Sequence, residues 1–220
     1  MLNSPTHRLV LLFTCLASCG LSANTNAADG FDVILRHGQL IDGRGTPGRV
    51  TDVAINDGRI VAIGNLQGLP AAIDIDATGQ VVCPGFIDLH SHADRGILES
   101  RTAENYIRQG VTTLLCGNCG SSPTDIGAFF ENLRNGGTGP NIAILVGHGS
   151  VRQAVLGRRD VVPDPGQLKR MKNLVRKAMQ DGAVGLSTSL RYGPGSYAGT
   201  DEIVALAGEI EAMLRSPDLG

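Results

Sequence analysis

Pro84-Gly85-Phe86-Ile87-Asp88-Leu89-His90-Ser91-His92 decides how the chain is read: an apolar run that stops abruptly in two histidines at i and i+2. Three more runs of this kind follow: Val111-Thr112-Thr113-Leu114-Leu115, Ile142-Ala143-Ile144-Leu145-Val146 and Gly182-Ala183-Val184-Gly185-Leu186. Each closes in glycine or polar residues. Short apolar runs without alternation are those of strands buried on both faces, as in a parallel sheet. Helical segments lie between them. Leu168, Met171, Leu174, Val175 and Met179 recur at three- and four-residue spacing, which predicts an amphipathic helix over Gln167–Gln180. Thr102–Gln109 and Asp125–Arg134 are shorter candidates. Strand, loop and helix four times over is an α/β pattern, either a β/α barrel or a doubly wound sheet.

Upstream, the rhythm is that of short strands. Val33–Leu35 and Gln39–Ile41 flank His37-Gly38, read as a tight turn. Asp52–Ile55 and Arg59–Ile63 flank Asn56-Asp57-Gly58, a hairpin signal because Asp-Gly tolerates positive φ. Ile73-Asp74-Ile75-Asp76 alternates and ends at Ala77-Thr78-Gly79. Residues 31–82 are therefore expected to form a small antiparallel β unit, and residues 83–220 the β/α region.

Residues 1–28 are set apart as an export signal. His7 and Arg8 precede the apolar run Leu9–Ala17, too short for a permanent membrane span. Leu16-Ala17-Ser18-Cys19 resembles a bacterial lipobox, with Cys19 as the lipidated residue, and Ala27-Ala28 offers an ordinary cleavage site. The expected location is periplasmic or lipid-anchored at the cell envelope. Nineteen basic residues against 21 acidic give a net charge of -2, which offers no electrostatic case for nucleic acid as a partner. Past the signal only Cys83, Cys116 and Cys119 remain, an odd count that does not make a disulfide framework.

His90 and His92 close the first buried run. On a strand, i and i+2 point the same way, so both imidazoles can face one point at the mouth of the sheet, where zinc suits the donors. A bare His-x-His is often no more than two ordinary histidines; the apolar run before it makes this pair more specific. Cys116-Gly117-Asn118-Cys119 also fits the redox pattern Cys-x-x-Cys, though that reading expects the pair to open a helix. His148, Ser187, Thr188, Ser189 and Tyr192 sit at strand ends and are candidates for a substrate pocket or for supporting the metal site. Arg152 and Arg191 could attract a substrate carboxylate, with a solvated surface role the better expectation for both.

Four ordered segments carry a family resemblance: PGFIDLHSH at 84–92, GVTTLLCGNCGSS at 110–122, GHGSVRQAVLG at 147–157 and GAVGLSTSLRYGPGSYAGT at 182–200. Together they resemble the N-acyl-D-amino-acid deacylase (D-aminoacylase) branch of the amidohydrolase superfamily, over about residues 31–210. The resemblance implies a small β-sandwich segment followed by the first four β/α units of a TIM-like barrel. It implies that Cys119 joins His90 and His92 as a ligand to Zn2+, and that the substrate is a small N-acyl amino acid whose amide is hydrolysed by metal-activated water. It also implies two further histidine ligands and a general-base aspartate from later strands, beyond the end of this chain. No histidine follows His148. The chain alone is accordingly expected to be a poor hydrolase, or an inactive relative acting as a binding module, unless a second chain completes the barrel. Four strands alone should also leave the flanks of Val111–Leu115 and Ile142–Val146 uncovered.

Overall fold

The computed structural model describes residues 10–12 and 30–215 and divides into two compact units, residues 1–86 and 87–220. Cys19 and Ala27-Ala28, the expected processing sites, lie outside the described residues. Among the described residues no helix is long and apolar enough to cross a membrane.

The first unit is a six-stranded sheet of β1 (Val10–Leu12), β2 (Phe31–Leu40), β3 (Arg49–Asn56), β4 (Arg59–Gly64), β5 (Ala71–Asp76) and β6 (Val81–Pro84). It is mixed rather than antiparallel. β2 pairs antiparallel with β3, but parallel with β5 and β6, and β1 runs parallel to β6. The expected turn at His37-Gly38 is instead a bulge inside one ten-residue strand. His37 takes φ 59°, and the β2–β3 register shifts between Leu35 and Gly38. The cause is Asp52, buried on β3, whose carboxylate accepts from the backbone N–H of His37 and of Leu66. Burial acts to raise the Asp52 pKa, but those hydrogen bonds outweigh it and hold the group below its ordinary value. The Asp57-Gly58 hairpin forms as read, with both residues at positive φ. Leu35, Leu40, Val53, Ala77 and Val82 pack on one side, and Ile34, Ala54 and Leu66 form a second cluster.

The second unit carries the β/α region. β7 (Phe86–Asp88), β8 (Val111–Cys116) and β9 (Asn141–Ile144) lie side by side, β8 parallel to β9 with Leu114 opposite Ile142. After a break at Leu145, β10 (Val146–Gly147) pairs parallel with β11 (Leu186–Ser187). Hydrogen bonds from Leu145 N–H to the Cys116 carbonyl and from Val184 N–H to the Ile144 carbonyl keep the row continuous across the break. The connecting helices are α1 (Glu104–Ile107), α2 (Ile126–Gly136), α3 (His148–Leu156), α4 (Pro165–Gln180) and α5 (Thr200–Leu214).

Local chemistry explains the helix starts. Asp125 caps α2 by accepting from Ala128 N–H at 2.9 Å. Asp164 and Gln167 exchange both bonds of a capping box on α4, with Pro165 at the first helical position. Both helices sit where the periodicity places them, whereas α1 shrinks to four residues. α3 and α5 are additional to the expected helices. Val151 and Val155 on α3, and Ile203, Leu206 and Ile210 on α5, carry the three- and four-residue spacing that marks them.

The core of this unit gathers Leu114, Ile126, Phe129, Ile144, Val146, Met171, Val175 and Leu206. Leu114, Ile144 and Val146 are buried, so the strands expected to have open flanks are the inner ones. Uncovered apolar side chains flank the row, with Ile87 (63 % exposed) and Leu89 (69 %) at one side and Val184 and Leu190 at the other. The first apolar run is therefore not buried on both faces, since Phe86, Ile87 and Leu89 are all exposed.

Candidate metal centre

β7 ends at Asp88, so His90 and His92 stand beyond the strand, not on it. Strand alternation is not what aims their rings. The Asp88 carboxylate accepts from His90 N–H at 3.0 Å and turns the chain. Buried Ser91 then anchors the next step, its N–H donating to the Leu115 carbonyl at 3.0 Å and its hydroxyl accepting from Ala93 N–H. With Ser91 pinned inward, the two imidazoles meet edge to face, ring centroids 5.6 Å apart.

Cys119 arrives by a tighter route. Gly117, Cys119 and Gly120 have φ of 73°, 56° and 74°. For cysteine that left-handed conformation costs about 1–2 kcal/mol, and it persists only where neighbours enforce it. They do. The Asn118 side-chain amide donates to the carbonyls of Leu115 (2.7 Å) and Ser91 (3.2 Å), tying this turn to the histidine segment. Asp94 accepts from Gly117 N–H, and Ser150 N–H donates to the Gly120 carbonyl. A side chain at Gly117 would bring Cβ within 2.0 Å of the Leu145 carbonyl oxygen, so the turn lies flat on the next strand.

The result is that Cys119 Sγ lies 3.3 Å from His90 Nε2, and one donor atom from each of His90, His92 and Cys119 falls within 4.8 Å of the others. A tetrahedral zinc with ordinary Zn–S and Zn–N bonds separates such a pair by about 3.6 Å. His92 Nδ1 is buried without a hydrogen-bond partner among the described residues. A thiol together with two imidazoles is a donor set that fits a borderline-soft cation.

The cavity beside these donors, of about 430 Å³, is lined by His92, Cys119, Ser189, Tyr192, Arg95 and Arg158, among others, with no aspartate or glutamate in its wall among the described residues. Tyr192 stands in the wall, 60 % exposed. His148 and Ser187 do not line it. His148 is buried, bonding Thr188 Oγ1 and Glu202 Oε1 at 2.9 Å each. Arg152 corrects the expectation of a solvated role: it is fully buried and pairs with Glu202 and the Val161 carbonyl, fastening α3 to α5. Arg191 is exposed as read. Arg95 and Arg158 went unread because nothing in their local sequence marks them; only the fold brings them to one cavity. Cys116 is buried at the end of β8, in a strand-to-turn junction rather than at a helix start. Burial pushes its thiol up, with Asp94 adding to the effect, opposite to what a reactive redox pair needs. Cys83, Cys116 and Cys119 are all free thiols.

Residues 75–215 match the family model described as "Amidohydrolase family". Among curated proteins, the D-aminoacylase of Alcaligenes xylosoxydans xylosoxydans is 36% identical over 205 residues, which is 83% of this chain and 42% of the relative. The N-acyl-D-glutamate deacylase of the same organism is 35% identical over 198 residues, 80% of this chain and 41% of the relative. Among solved structures, N-acyl-D-glutamate deacylase from Bordetella bronchiseptica, complexed with zinc and a phosphonate mimic of the tetrahedral intermediate, superposes with TM-score 0.80 at 34% identity. That match covers 84% of this chain and 44% of the Bordetella chain. The chain thus spans less than half the length of these relatives.

Proposed function

For a chain that belongs to the amidohydrolase family, we propose that His90, His92 and Cys119 hold zinc in a centre that hydrolyses the amide bond of N-acyl-D-amino acids. The convergence of the three donors on one side of the strand row carries this reading. We further read residues 31–82 as a β-sandwich segment and residues 83–220 as the first four β/α units of a TIM-like barrel.

When bound, zinc supplies Lewis-acid polarisation of the amide carbonyl and a more acidic water. The chain's own groups do the remaining work of binding and orientation. Arg95 and Arg158 give the cavity a positive wall without a compensating carboxylate, which suits the carboxylate every N-acyl amino acid carries. Tyr192 and Ser189 offer hydroxyls along the same wall. Cys119, held in advance by its turn, contributes a negative ligand without waiting for reorganisation.

Among the described residues the cavity wall is basic and hydroxylic rather than acidic. The chain is expected to bind zinc and an N-acyl amino acid through these groups. Zinc titration of the purified full chain tests the reading. Binding at a single site, lost in His90→Ala and in Cys119→Ala, supports it; equal zinc affinity in the parent and in a chain lacking all three donors overturns it. With an N-acetyl-D-amino acid and its L-enantiomer, any zinc-dependent release of amino acid should favour the D form.

A further inference from the structure

Ser187 stands 68 residues after Cys119, on the last strand of the row, yet its hydroxyl closes the Cys119 turn from both ends. Its Oγ accepts from Gly120 N–H at 3.0 Å and donates to the Gly117 carbonyl. One hydroxyl thus spans the residues on either side of Asn118-Cys119, the stretch whose backbone enters the left-handed region. The side chain is partly buried and does not line the cavity. The opposite side of the turn is held by the histidine segment, through Asp94 and through the Asn118 amide. Without Ser187 the Gly120 N–H and one lone pair of the Gly117 carbonyl lose their partner. The cost of the φ of 56° at Cys119 then has less to oppose it.

We propose that Ser187 is a positioning residue for Cys119, fixing the thiol at the distance from His90 and His92 that metal binding needs. The inference rests on Cys119 being a metal ligand. It assigns the fourth strand a part in building the metal centre while contributing no ligand to it, so the site is pre-set only when β11 is docked against β10.

Cobalt(II), which takes the same donors, gives a readout independent of turnover. The full chain is titrated with cobalt(II) alone, following the near-ultraviolet thiolate-to-cobalt absorption. Ser187→Ala is expected to weaken cobalt binding roughly 10-fold and to lower the thiolate band at saturation, the size typical of losing a group that orients a ligand. Ser187→Thr, which keeps the hydroxyl, should bind within about 3-fold of the parent. Ser122→Ala, which removes a hydroxyl from the same loop but from a bond to Gly147 N–H, should leave affinity and band unchanged. Parent-like affinity and a full thiolate band in Ser187→Ala overturn the proposal, as does an equal loss in Ser122→Ala. Amide hydrogen exchange of Gly120 in the unaltered chain adds a test that needs no variant: protection supports the clamp, and exchange at the rate of an open loop contradicts it. Failure of the underlying reading looks different, because cobalt then binds the parent chain without any thiolate band.

Discussion

Two chain reversals deliver the proposed donors of the metal centre, and they are built in different ways. The His90–His92 segment leaves β7 through exposed residues, with one carboxylate turn at Asp88 and one buried anchor at Ser91. The Cys119 turn is buried except at the thiol-bearing residue, and is held by its own Asn118 and by Asp94, Ser150 and Ser187 from three other segments. A half-exposed imidazole can adjust when a cation arrives. A cysteine in a left-handed turn flat against the next strand cannot. The thiolate side of the site is therefore the fixed reference, and the histidine side is the part that adapts.

Substitution at Gly117 should expose the contrast most strongly. Gly117→Ala places a methyl against the Leu145 carbonyl oxygen at a positive-φ position, and is expected to cost roughly 3 kcal/mol from strain and overpacking together. Chemical denaturation measures it; a loss below about 1 kcal/mol would mean the turn is softer than described. Asn118→Ala comes next. It removes the amide that bonds Leu115 and Ser91 and should cost about 2 kcal/mol, the scale for leaving buried partners unsatisfied. Because that amide joins the two reversals, zinc affinity should fall along with stability.

The same contrast sorts what could be read from the sequence. The Asp57-Gly58 hairpin and the amphipathic helix α4 were legible because each is decided within a few residues, by turn chemistry and by spacing. The proposed donors His90, His92 and Cys119 lie together in the structure, but not for the reason that strand spacing suggests. The histidines converge after β7 has ended, through Asp88 and Ser91, not through alternation along a strand. His37-Gly38 looked like a turn because glycine follows a polar residue there. Only Asp52, fifteen residues away on the next strand, decides that it is a bulge. Arg152 reads as surface and is buried, since its partner Glu202 lies fifty residues downstream. What sequence spacing could not supply, in each case, was a contact made across the fold.

Thiol reactivity offers a milder probe. Cys116 is buried, with its thiol pushed up by burial, whereas Cys119 is half-buried beside the cavity. An alkylating reagent applied to the folded chain near pH 7 should label Cys119 first and spare Cys116, and zinc should protect Cys119; peptide mapping would reveal the reverse order. The smallest effect is expected at the exposed end of the histidine segment. Leu89→Ser, at a residue 69 % exposed, should change stability by no more than about 0.5 kcal/mol and leave zinc affinity untouched. A larger loss would show that this side too is held rigidly.

X-ray absorption at the zinc edge of the zinc-loaded full chain tests the central claim most directly, because it reads the donor atoms themselves. Convergence of Cys119 with His90 and His92 predicts one sulfur near 2.3 Å and imidazole nitrogens at about 2.0–2.1 Å, with the sulfur lost in Cys119→Ala. A shell of light atoms alone, without sulfur in the unaltered chain, would contradict it.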